Sequence, residues 1–158
     1  MSENEFPILN FLKKFISDPS VSNPSHLKYP TAISNTLQFV ITEVGIQTAT
    51  VCVNADPNLH GNQQGTIHGG LICELADAAI GTAHSTTLNR GESFTTIEIK
   101  VNFIRPSWKT TLFAKAQPLY SGKTITHYKC DVYNDNDKLV AITTSTVMTL
   151  VGKKADGR

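Results

Sequence analysis

Residues 71–83 read Leu-Ile-Cys-Glu-Leu-Ala-Asp-Ala-Ala-Ile-Gly-Thr-Ala, LICELADAAIGTA. No alternation of apolar and polar residues runs through this stretch. Leu71, Leu75, Ala79 and Ala83 recur every four residues, with Ile72, Ala76 and Ile80 in a second row beside them. A helix carrying both rows is apolar over most of its circumference, which predicts a helix buried in a core.

On its C-terminal side, everything after Arg90-Gly91 reads as sheet. Within Thr95–Phe103, Ile97, Ile99, Val101 and Phe103 alternate with Thr96, Glu98, Lys100 and Asn102, the period of an antiparallel strand. Thr111–Tyr120, Thr124–Tyr133 and Leu139–Val151 follow as strands, separated by turns at Ser121-Gly122-Lys123 and Asn134–Asp137. On the N-terminal side, Leu37–Glu43 and Gln47–Val53 read as a hairpin broken at Gly45, and Asn54–Gly65 as a polar loop. One helix cannot cover both faces of a six-stranded sheet. The economical solution is an α+β fold, a curved antiparallel sheet wrapped around that helix. Farther upstream, Phe6, Leu9, Phe11, Leu12, Phe15 and Ile16 form a helical stripe that Asp18-Pro19 stops. The expected organisation is an N-terminal helix and linker over 1–30, the main domain over 31–151 and a flexible tail over 152–158.

The chain has 158 residues, of which 40% are hydrophobic and 17% charged. An ordinary soluble domain carries about 25% charged residues, so sparse charge points to surface covered by further copies of the chain. A net charge of +1 argues against nucleic-acid binding by bulk charge. The balance is uneven. Residues 1–89 hold three basic and seven acidic residues (net −4), and residues 90–158 hold eleven and six (net +5), which suits a small polyanionic ligand held by the second half. Cys52, Cys73 and Cys130 have no metal or disulfide spacing and read as buried free thiols. With no apolar secretory core and no membrane-length apolar run, the expected location is cytoplasmic.

The buried helix carries two carboxylates, Glu74 and Asp77. Asp77 lies between Ala76, Ala78 and Ala79, where a carboxylate needs a partner or a role. A structural salt bridge is the expected fate of Glu74. Before the helix stands Gly65-Thr66-Ile67-His68-Gly69-Gly70. Glycines at a helix start allow close approach to unpaired N–H groups at the positive end of the dipole, a site suited to an oxyanion.

Asn62, the His68-Gly69-Gly70 turn, Asp77, the strand from Thr96 to Arg105-Pro106, and Gly122-Lys123 together resemble the hotdog-fold acyl-CoA thioesterases of the phenylacetate-pathway type. The resemblance spans roughly Leu37 to Leu150. It departs from the family pattern in lacking a Gly within Ser107–Thr111, and in having Asn136-Asp137 where an Asp-Gly turn is common. It implies a hotdog fold with an extra N-terminal helix, and hydrolysis of an acyl-CoA thioester to free acid and CoA. Asp77 becomes general base or nucleophile, with Glu74 the alternative base. Gly69 becomes the oxyanion donor with Gly70 beside it, and Asn62 the group that orients water or thioester. His68 fixes the turn, and Thr96 is the small hydroxyl near the water, supplied by a neighbouring subunit. Arg105, Lys109, Trp108, Ser121, Gly122 and Lys123 become candidates for the CoA nucleotide. No cofactor is implied, coenzyme A being part of the substrate. The partners implied are further copies of the chain, in a dimer or a tetramer of two dimers, with neither nucleic acid nor membrane. A non-catalytic acyl-CoA-binding protein and a hotdog dehydratase are the alternative readings.

Overall fold

The computed structural model describes residues 6–157. In chain order it contains α1 (Pro7–Ser17), α2 (Ala32–Leu37), β1 (Val40–Gly45), β2 (Thr48–Ala55), α3 (Pro57–His60), α4 (Gly69–Ser85), β3 (Ser93–Phe103), β4 (Thr110–Ser121), β5 (Ile125–Asn134) and β6 (Leu139–Leu150). The six strands form one antiparallel sheet in the order β1-β2-β4-β5-β6-β3. Every strand touches α4. Its two apolar rows explain why: Leu75, Ala76, Ala79, Ile80 and Ala83 are all fully buried. Each enclosed Leu or Ile contributes about 1.5–3 kcal/mol, and the alanines let the strands approach the helix closely.

Both ends of α4 are set by local chemistry. His68 is its N-cap, accepting from the Gly70 N–H at its ring nitrogen. At the other end the hydroxyls of Ser85, Thr86 and Thr87 donate to the carbonyls of Thr82, Ala83 and His84 at 2.8, 2.7 and 3.2 Å, satisfying acceptors that the ending helix leaves free. Thr86 also accepts from the Gln47 N–H at 2.8 Å, which ties the β1–β2 turn to this end of the helix.

The strands fall close to where the alternation places them, with one difference before β1. Leu37 ends α2 instead of opening a strand. Thr31 caps that helix by accepting from the Ser34 N–H at 3.1 Å, and Gln38 leaves it with a φ of 58°. At the β5–β6 turn, Asp137 has a φ of 54°, so Asp occupies a left-handed position where the related turns place Gly.

The N-terminal segment is fastened to the domain. Ile8, Phe11 and Leu12 of α1 are buried with Leu88, and α1 lies against β1. The linker hydroxyl of Tyr29 bonds Ser85 Oγ at 2.5 Å. At the other terminus, Gly152–Lys154 forms a short 3-10 turn and Ala155 is buried. All three cysteines are free. Cys130 is buried as expected, but Cys52, which alternates with the buried Val51 and Val53 along β2, and Cys73 are only partly so.

β3 contains the departure that matters most for the site. Thr96 pairs with Val147 and Glu98 with Thr146, so Ile97 is an extra residue in a bulge. Strict alternation would bury Ile97 and turn Thr96 outward. The bulge reverses this, leaving Ile97 53% exposed and turning Thr96 toward α4.

Candidate active site

Asp77 lies on the middle of α4, half-buried. Thr96 Oγ1 donates to its Oδ1 at 3.1 Å within the same chain. Burial pushes the Asp77 carboxyl above its usual range, and the Thr96 bond opposes that shift. Glu74 stands one turn earlier, also half-buried. Its carboxyl is pushed up by burial and then by the Asp77 charge. The expected salt bridge is not formed: among the described residues Glu74 has no ion-pair partner. Its side chain faces a cavity instead.

That cavity has a volume of about 410 Å³, with Glu74, Asp77 and Thr96 in its wall. Its remaining lining is mostly apolar and includes Phe15 of α1 and Ile33 of α2. The sequence marks the α1 stripe as an N-terminal helix outside the main domain. The stripe signals an apolar face but not what that face encloses, and α2 was not read at all.

The turn before α4 divides the labour of its two glycines. Gly70 donates its N–H to His68 Nδ1 at 2.8 Å and is thereby committed. The Gly69 N–H has no acceptor among the described residues. Gly69 also has no room for a side chain, since a Cβ there would lie 2.8 Å from the Phe103 ring. His68 thus caps the turn through its bond with Gly70. Asn62 acts within its own loop, accepting from Gln64 N–H at 2.9 Å and Thr66 N–H at 3.2 Å and donating to Thr66 Oγ1 at 2.9 Å. Eight residues separate Gly69 from Asp77 along one straight helix, or about 12 Å of axial rise. Within one chain the free N–H and the carboxylate cannot act on the same carbonyl.

The nucleotide candidates are likewise divided. Arg105, Trp108 and Lys109 precede β4, and Ser121, Gly122 and Lys123 close or follow its twelve residues, a separation of about 37 Å along an extended strand. Arg105 Nη1 donates to the Leu139 carbonyl at 2.6 Å, and Lys109 pairs with Asp56 at 3.3 Å. Ser121 donates to Gln47 Oε1 at 2.5 Å, and the Gly122 N–H to the Ile125 carbonyl at 2.8 Å. Lys123 is exposed, as is Trp108, and Lys123 has no ion-pair partner among the described residues.

Two further features bear on what the chain can hold. Among the described residues no three His, Cys, Asp or Glu side chains converge to hold a metal ion. Among the same residues no helix is long and apolar enough to cross a membrane.

A half-buried carboxylate on a buried helix, a capped glycine turn and a wrapped antiparallel sheet define a class of protein, and the comparisons with known proteins agree with it. The family model of the Thioesterase superfamily matches residues 64–141. The solved structure of the PaaI protein from the phenylacetic acid degradation operon of E. coli is similar, with a TM-score of 0.71 and 25% identity, covering 78% of this chain and 86% of that one. A medium/long-chain acyl-CoA thioesterase of Salmonella typhimurium is 26% identical over 114 residues, 63% of this chain and 74% of its own length. A Haemophilus influenzae relative, provisionally named an esterase, is 27% identical over 86 residues, and the match spans only 62% of its length. The chain thus has a hotdog fold, and its residues 64–141 match the Thioesterase superfamily. The matches support hydrolase activity of the thioesterase kind.

Proposed function

We propose that this protein hydrolyses acyl-CoA thioesters, with Asp77 as the group that acts on the reacting atoms. The observation that carries the reading is the Asp77 carboxylate, half-buried in a cavity wall and held by Thr96 at 3.1 Å. As a base, Asp77 takes a proton from water while the water oxygen bonds to the thioester carbonyl carbon. The C–S bond then breaks, and the CoA sulfur leaves with a proton. As a nucleophile, Asp77 forms the new C–O bond itself and water later cleaves the resulting anhydride. Either route places negative charge on the thioester oxygen, which a free backbone N–H at a helix start stabilises.

The axial separation of about 12 Å along α4 supports drawing that donor from a second chain. β3 is an edge strand of eleven residues with no partner on its outer side among the described residues, and it presents Ile97 and Phe103 to solvent. Such an edge favours pairing. Two β3 strands joined antiparallel about a twofold axis bring the Phe103 end of one beside the Ser93–Thr96 end of the other. Phe103 packs on Gly69, so this arrangement carries the glycine turn of one chain toward Asp77 of the other. It also brings the 105–109 loop of one chain toward the Ser121–Lys123 turn of the other. The expectation that Thr96 comes from the neighbour is corrected accordingly: Thr96 serves Asp77 of its own chain.

Release of free CoA thiol from an acyl-CoA panel tests the activity, and a mixing experiment tests the shared site. Asp77→Asn and Gly69→Val protomers, each inactive alone, should regain about a quarter of wild-type activity when exchanged in equal amounts, because half the dimers then contain one complete site. Mixing Asp77→Asn with Thr96→Val should add nothing beyond the activity that the Thr96→Val protomers bring themselves, since both residues belong to one chain. No thiol release from any thioester would overturn the activity, and recovery in the second mixture but not the first would overturn the assignment of the turn.

A further inference from the structure

We infer that the N-terminal segment is the length-setting wall of the acyl site: α1 and α2 close the cavity beside Asp77 around an apolar acyl group of about eight to twelve carbons. The inference rests on the thioesterase reading of Asp77 and deepens it. The cavity is lined by Phe15, Ile16 and Ile33 of the N-terminal segment and by Val51, Ala78 and Phe94 of the domain, among others. The first three lie outside the segment that matches the family model, which begins at residue 64. They belong to a part of the chain whose contribution the family match does not describe.

The burial along α1 shows that this wall is built and not incidental. Ile8, Phe11 and Leu12, in the first half of the helix, are at most 4% exposed and anchor it to the domain through Leu88. Phe15 and Ile16, on the same stripe, are only half-buried because the cavity lies in front of them. On α2, Ile33 borders the same space and remains 46% exposed. Apolar side chains are left partly uncovered around one cavity, and an apolar occupant would cover them.

Charge and polarity decide which end of an acyl-CoA enters. Glu74 and Asp77 both stand in the wall, so a phosphate would meet two carboxylates. An adenine ring would lose hydrogen bonds to water along the apolar walls. The acyl chain suffers neither cost and leaves its thioester carbon at the carboxylate. An apolar cavity of about 150 Å³ holds one benzene. The volume of about 410 Å³ found here is more than twice that, and with part of it taken by the thioester group and the attacking water it leaves room for a chain of about eight to twelve carbons.

The test is a chain-length series of acyl-CoAs from acetyl to palmitoyl, read as kcat/KM for wild type, Ile33→Ala and Ala78→Phe. Wild-type kcat/KM should climb by up to about fourfold per methylene, with a maximum within that range of about eight to twelve carbons. Ile33→Ala should move the maximum to longer chains. Ala78→Phe should move it to shorter chains and reduce decanoyl-CoA kcat/KM by a factor on the order of 50, because a ring fills the space of several methylenes. Ile33 is half-exposed, so its variant keeps the test usable if Ala78→Phe fails to fold. A flat wild-type profile, or one unmoved by Ile33→Ala, overturns the inference while leaving thioester hydrolysis intact. A binding arm separates the two readings further. S-decyl-CoA, a thioether that cannot be hydrolysed, should bind wild type more tightly than CoA does, and Ile33→Ala should alter that gain. If no thioester is hydrolysed but this gain is present and shifts with Ile33→Ala, the hydrolase reading fails and the apolar wall stands. If S-decyl-CoA binds no better than CoA, the wall fails whatever the hydrolysis shows.

Discussion

Asp77 and His84 lie seven residues apart on the same helix and, at about 100° per residue, on nearly the same face. His84 is 2% exposed, and both its ring nitrogens are bonded, Nδ1 to Tyr128 Oη at 3.2 Å and Nε2 to Thr149 Oγ1 at 3.0 Å. Asp77 is half-buried, and the one side-chain bond to its carboxylate comes from Thr96 at 3.1 Å. Burial shifts each group toward its neutral form, lowering His84 to about 4 and raising Asp77. The difference lies in what remains to be satisfied. The polar atoms of His84 are used up in the core, so it serves the fold. Asp77 keeps lone pairs facing a cavity, so it can act on something that enters.

The sharpest way to break this contrast is Asp77→Asn. Turnover should fall by about 10²–10⁴-fold, the range for a positioned acid or base. Stability should not fall with it. The Asp77 pKa is raised in the fold, so the folded chain binds the proton more tightly than the unfolded one, and above the folded pKa the ionised carboxylate costs stability. Asparagine removes that cost. Thermal melts at pH 7 should therefore show a midpoint equal to or above that of wild type, and a fall of several degrees would make Asp77 structural.

His84→Ala should do the reverse. Losing the ring leaves a cavity and two hydroxyls without their partner, a cost of about 2–4 kcal/mol in denaturant titration, while kcat per folded molecule is retained. Its pH dependence follows from the shift. The unfolded chain protonates His84 near 6.5 and the fold only at about 4. Stability from this residue is complete above the first value and is lost as pH falls toward the second, by about 3 kcal/mol in all. The variant should lack that part of the acid limb.

Thr96→Val probes the single bond to Asp77. Removing a bond that lowers the Asp77 pKa should move the acid limb of the kcat/KM profile to higher pH, with a loss of roughly tenfold on that limb. An unshifted limb would mean that another group sets it. Lys123→Ala should have the smallest effect, raising KM about threefold with little change in kcat, because contacts with remote phosphates act as uniform binding. The effect should shrink with added salt and vanish with a pantetheine thioester.

Much of this molecule is legible along the chain because the relations involved are local. The two apolar rows of α4 and the strand patterns of β4, β5 and β6 depend on residues a few positions apart, and each is close to where the pattern places it. The isolation of Asp77 among alanines is local too. Local order could not show which residue of β3 meets that carboxylate. Alternation sets Thr96 on the solvent side, and only the register against β6, with Ile97 bulged, turns it inward. Nor could it show that Phe15 and Ile33 share a cavity with a residue far along the chain. It likewise could not reveal that Arg105 and Lys123 stand at opposite ends of β4. Helix and strand preferences are set by neighbours in sequence. Register, enclosure and the distance between loops are set by hydrogen bonding and packing between distant segments, and they exist only once the sheet has closed around α4.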